Sequence, residues 1–84
     1  MYKPIKVKAL DSYKIWVKFE DGTEGQVDLS GELGKGVFEY WNDHSNFRKV
    51  YINNETDGIA WNEELEICPE TVYYEILEQA KKAV

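Results

Sequence analysis

The chain is poor in the residues that anchor covalent or metal chemistry. Among 84 residues it has one cysteine, Cys68, and one histidine, His44. A single cysteine excludes an intramolecular disulfide and fits a reducing compartment. One His and one Cys fall short of the four-ligand set of a structural zinc site. No Asp-x-Asp-x-Asp-Gly spacing marks a calcium loop. We therefore expect neither a metal nor a cofactor. A nucleophilic system would have to pair His44 with Ser12, Ser30, Ser45 or Cys68. His44 lies in the polar run Asn42-Asp43-His44-Ser45-Asn46 and reads as a loop histidine, so no catalytic residue is assigned.

Long apolar runs are also missing. No stretch approaches the roughly 18 apolar residues of a membrane span. The first residues, MYKPIKVKAL, lack the continuous apolar segment of a secretory signal. A cytoplasmic protein without membrane contact is the expectation. The glycines of Gly31-Glu32-Leu33-Gly34-Lys35-Gly36 are too closely spaced for a phosphate loop, and no Ser or Thr follows the lysine. Glu63, Glu64, Glu66 and Glu70 crowd one segment, which reads as a solvated acidic loop.

What is present is an apolar fraction of 43% with 31% charged residues, the balance of a globular chain. The length suits one domain over residues 1–84. Three Trp and six Tyr let a small domain fill its core with few side chains. The net charge is −6, which disfavours direct contact with nucleic acid and suits a small basic protein partner. Lys3, Lys6, Lys8, Lys14 and Lys18 are dispersed and alternate with apolar residues.

Alternation marks the first half as strands. Ile5, Val7 and Ala9 share one face, with Lys6 and Lys8 on the other. Asp11-Ser12 reads as a turn. In Tyr13–Glu20, Tyr13, Ile15, Val17 and Phe19 face one way, and Lys14, Trp16 and Lys18 the other. Asp21-Gly22 predicts a two-residue hairpin turn with positive φ at both positions. Thr23–Leu29 returns, with Gly25 marking a bulge or a close backbone approach. These pieces make a three-stranded antiparallel meander. Ser30–Gly36 is a loop or one short helical turn. Val37, Phe38, Tyr40 and Trp41 form an aromatic connector over the sheet. Lys49–Asn53 and Ile59–Trp61 predict a second hairpin. Pro69 starts a helix whose stripe is Val72, Tyr73, Ile76, Leu77 and Ala80, with a Glu78–Lys82 pair one turn apart.

Trp16 stands out because it shares its strand face with Lys14 and Lys18 and points away from Ile15, Val17 and Phe19. It is covered by the connector or the helix, or it anchors a partner, as Trp and Tyr do at binding hot spots. Trp41 and Tyr51 carry the same two readings. The candidate partner contacts are therefore Trp16, Trp41 and Tyr51.

The order of short motifs adds a resemblance. Phe19-Glu20-Asp21-Gly22 precedes Val27-Asp28-Leu29, then Gly36-Val37-Phe38, Asp43, Phe47 and Val50. Gly58-Ile59-Ala60-Trp61-Asn62 and Ile67-Cys68-Pro69-Glu70-Thr71-Val72-Tyr73 complete the series. From about Ile5 to Tyr74 the chain resembles the bacterial family called domain of unknown function 2442. The family pattern has an aspartate where this chain has Glu66, and often a proline where it has Asn62. The resemblance implies a small α+β domain of unestablished activity, often encoded beside another small protein, as in toxin–antitoxin pairs. It transfers no catalytic residue. Some members carry an added C-terminal helix-turn-helix, and the resemblance carries no DNA-binding role over to this chain.

The expectation is an α+β fold: an N-terminal meander and a second short hairpin packed with a C-terminal helix. The expected function is a non-catalytic protein-interaction module, antitoxin-like, monomeric or weakly dimeric. A transcription-linked or nucleic-acid-associated regulator is the alternative, and a small-ligand-binding domain or enzyme is third.

Overall fold

A computed structural model describes residues 2–82. Strands β1 (Pro4–Ala9), β2 (Lys14–Phe19) and β3 (Glu24–Asp28) form the meander in the order β1-β2-β3. Opposed residues in antiparallel strands point to the same face, so the register sorts the side chains. Val7 opposes Val17, Ala9 opposes Ile15, and Ile15 opposes Val27 on the core face. Ile15, Val17, Phe19 and Val27 are buried there, as the alternation predicts.

Three local expectations change. The register of β1 slips between Pro4 and Lys6, so Pro4 takes the buried place opposite Phe19. Ile5 is left exposed, because a bulge displaces one residue from the two-residue alternation. Tyr13 is not in the strand. It closes a 3-10 turn over Asp11–Tyr13 in which Ser12 and Tyr13 have φ of 62° and 59°. Its hydroxyl donates to the Trp41 carbonyl at 2.8 Å. The β2–β3 turn has three loop residues, not two. The Gly22 N–H donates to Phe19 O, the Phe19 N–H to Thr23 O, and only Gly22 takes a positive φ, 91°. A bulged three-residue loop needs one left-handed residue, and glycine supplies it.

A 3-10 turn at Ser30–Glu32 leads to a longer one, Gly36–Asn42. This is the aromatic connector. It buries Trp41 completely, with ring centroids 4.7 Å from Trp61, 4.9 Å from Phe38 and 5.1 Å from Phe47. A single helical turn, α1 (His44–Phe47), follows. Asp43 caps it, its Oδ1 accepting from the Ser45 N–H at 3.0 Å.

The second hairpin is β4 (Tyr51–Ile52) with β5 (Ile59–Ala60), and a further strand, β6 (Glu66–Ile67), extends it. The acidic segment is therefore not a solvated loop throughout. The Glu66 carboxylate accepts from Asn53 Nδ2 and Thr56 Oγ1, each at 3.0 Å, and fastens the Asn53–Gly58 loop. Buried Leu65 adds the core contact that the acidic composition conceals. β4 runs close to β1 without joining its hydrogen-bond ladder.

Helix α2 (Pro69–Lys82) starts at the proline and buries Val72 and Ile76. Ala80, expected on the stripe, is exposed. The side chain of Lys82 lies outside the described residues, and with it the Glu78–Lys82 pair. The helix lies on β3 at Gly25, where a Cβ would come 2.9 Å from Ile76 Cγ2. The expected close approach is thus a helix seated on bare strand backbone. At the turn end of the meander, the Tyr73 hydroxyl donates to Asp21 Oδ2 at 2.6 Å, tying helix to hairpin. Tyr2 and Tyr74 share a hydroxyl–hydroxyl hydrogen bond, which pushes the Tyr2 phenol up to about 12. No helix among the described residues is long and apolar enough to cross a membrane.

Candidate functional site

The face of the meander opposite the core carries the most distinctive surface. Across the three strands the pairs are Lys8 with Trp16 and Trp16 with Gln26, then Lys6 with Lys18 and Lys18 with Glu24. Lys14 opposes Asp28. The lysines that look dispersed along the chain therefore converge on one surface. Four lysines face two carboxylates there, in a chain of net charge −6. Lys18 and Glu24 are 4.0 Å apart and largely exposed, a pairing worth at most about 1 kcal/mol.

Trp16 sits at the centre of this surface. It is half-buried and does not belong to the core cluster. Lys14 and Lys18 flank it along its strand and Lys8 lies across from it. Beside it, where α2 passes β3, Lys14, Gln26, Asp28 and Gln79 line a cleft of about 210 Å³. The Ser30 N–H donates to Asp28 Oδ1 at 2.9 Å. Hydrogen bonding from Ser30, helped by the nearby Lys14 charge, holds the Asp28 carboxyl below its usual range.

The other two aromatic candidates part company with Trp16. Trp41 is 0% exposed and serves the core, so no partner reaches it in this fold. Its position in a run of aromatics gave no sign of which ring turns inward. Tyr51 is 42% exposed, but it belongs to the second sheet. It lines a different, larger cleft of about 610 Å³ with Ile52, Asn53, Asn54, Glu55 and Glu63.

The chemically suggestive residues do not assemble. Ser45 Oγ donates to Asp43 Oδ1 at 2.7 Å, which engages the serine in its own cap. The His44 ring stands edge-on to Tyr13, centroids 4.8 Å apart, as a packing residue. Cys68 is exposed. Among the described residues no group of three or more His, Cys, Asp or Glu side chains is placed to hold a metal ion.

Sequence reading missed the lysine surface and the cleft. The first was available as a signal: Lys6 and Lys8 alternate out of β1 as Lys14, Trp16 and Lys18 do out of β2, and antiparallel pairing must superpose them. The cleft gave none, because Gln79 reaches it only through the seating of α2.

Neither a curated protein nor a solved structure matches the chain. A family model does, over residues 4–78, nearly the whole of the described structure. The protein belongs to the family described as protein of unknown function, DUF2442.

Proposed function

We propose that this protein is a non-catalytic interaction module, the antitoxin-like member of a pair with a small protein encoded beside it. The partner docks on the outer face of the meander. One observation carries the reading: Trp16, outside the core, is ringed by Lys8, Lys14 and Lys18 on an open sheet face. A Trp held by neighbouring strands loses little freedom on binding and supplies a large contact area. The whole-chain charge argues for a basic partner, but on this face the local sign is reversed. The segment that docks here therefore carries carboxylates, and its basic regions meet the acidic remainder of the surface. The lone cysteine suits a cytoplasmic setting.

Co-expression with the neighbouring gene's product, followed by size-exclusion chromatography, tests the reading. The pair should co-elute, and Trp16→Ala or the double change Lys8→Glu/Lys18→Glu should separate it. Co-elution untouched by either variant would remove the face from the interaction. A second reading, an association with single-stranded nucleic acid, is favoured by the same Trp among lysines, since bases stack on exposed aromatics. It requires binding to oligothymidylate that weakens steeply with salt.

A further inference from the structure

The cleft beside Trp16 has a chemistry of its own. It draws Lys14 from β2, Gln26 and Asp28 from β3, and Gln79 from α2. Asp28 is already engaged by Ser30. Lys14 forms no ion pair among the described residues, and neither glutamine amide takes part in a hydrogen bond there. An ammonium offers three donors and each amide two. Among the described residues, Lys14, Gln26 and Gln79 can supply N–H donors to the cleft, and the carboxylate that lines it, Asp28, has its Oδ1 already accepting a backbone hydrogen bond. At about 210 Å³ it lies below the roughly 300 Å³ at which small-molecule pockets begin. Its size suits one side chain.

We propose that this cleft receives a single glutamate or aspartate side chain of the docking segment, held by Lys14, Gln26 and Gln79, while Trp16 covers the chain on either side. The inference rests on the docking face proposed above and names what that face reads. The Lys14 ammonium supplies the charge-assisted bond, and the two amides fix the carboxylate's orientation. Asp28 shares the cleft wall with Lys14. Its negative charge keeps Lys14 in the cleft, and a second acid is admitted only where Gln26 and Gln79 can donate to it. Lys8, on the far side of Trp16, contributes attraction without contact.

The probe is acetylated and amidated hexaglutamate, with hexaglutamine as its uncharged control, titrated into the isotope-labelled protein and followed by NMR. Hexaglutamate should move the side-chain amide signals of Gln26 and Gln79 and the indole N–H of Trp16, and hexaglutamine should not. Lys14→Met should weaken binding by about tenfold, the loss of one charge-assisted hydrogen bond. Gln79→Ala, an exposed helix position, should weaken it several-fold. Lys8→Met, which removes the same charge outside the cleft, should cost clearly less than Lys14→Met. Equal effects of Lys8→Met and Lys14→Met, with the glutamine amides unmoved, would overturn the cleft while leaving the face standing. No shift anywhere on the face would overturn both. A response to oligothymidylate with none to hexaglutamate would likewise overturn both and assign the face to nucleic acid.

Discussion

Gly25→Ala is the sharpest test of how helix and sheet are joined. The added Cβ would stand 2.9 Å from Ile76 Cγ2 and 3.3 Å from Ile76 Cγ1. Ile76 is buried, so its side chain has no open space to turn into. The helix must lift, at an overpacking cost of about 1–3 kcal/mol. Replacing glycine also restricts the unfolded chain, which returns about 0.4–1 kcal/mol. The net expectation is a loss of about 1–2 kcal/mol, or a fall in Tm of about 5–15 °C for a domain of this size. Urea unfolding monitored by Trp fluorescence measures it as a lower midpoint at unchanged slope. The partner variants make the test specific. Ile76→Ala removes both offending atoms and should couple favourably with Gly25→Ala by about 1 kcal/mol in a double-mutant cycle. Ile76→Val keeps both γ carbons and should not rescue. A Gly25→Ala protein as stable as the parent, or strictly additive effects with Ile76→Ala, would refute the close-approach account.

Two further predictions concern the core and the turn. Trp61 Nε1 donates to Phe47 O at 2.8 Å, whereas Trp41 Nε1 is buried with no hydrogen-bond partner among the described residues. Trp61→Phe should therefore cost about 1–3 kcal/mol more than Trp41→Phe in chemical unfolding, because only the first strands a buried carbonyl; equal costs would show that ring volume alone decides. The Tyr73 hydroxyl, followed by Thr23, holds the Asp21 carboxyl below its usual range. Because the folded value is depressed, this stabilisation is complete above the unfolded carboxyl pKa of about 3.9 and is lost as pH falls through the folded value. Tyr73→Phe should raise the Asp21 pKa in a carboxyl NMR titration, and its stability deficit should shrink on acidification; an unmoved titration would break the link.

What the sequence discloses, and what it conceals, follows from the range over which each feature is decided. The meander is local: alternation across Lys14–Phe19 and a glycine after Asp21 suffice to propose it. The helix from Pro69 is local too, since its start and its Val72–Ile76 stripe lie within a few residues. Details fail where one residue changes the count. The bulge at Ile5 shifts the alternation of β1 by one, the left-handed Tyr13 falls in the turn before β2, and neither residue type signals it. β6 hides because two residues in an acidic stretch cannot show a period, and only Leu65 and the Glu66 clasp explain its place.

The candidate site divides in the same way. Its lysines and Trp16 lie on two strands joined by a short turn, so their meeting on one face is fixed once the pairing is fixed. Whole-chain charge obscures this, because an acidic total says nothing of how strand alternation sorts the signs. The cleft depends on a longer chain of causes. Gln79 lies three residues beyond Ile76, and Ile76 reaches β3 only because Gly25 has no side chain. A glutamine on a helix and a glutamine on a strand then border one small space with Lys14. On that account, Gly25→Ala should do more than lower stability. By lifting α2 it should carry Gln79 away from Lys14 and weaken hexaglutamate binding, even at temperatures where the variant is fully folded. A variant that loses stability and keeps its affinity would separate the seating of the helix from the chemistry of the cleft.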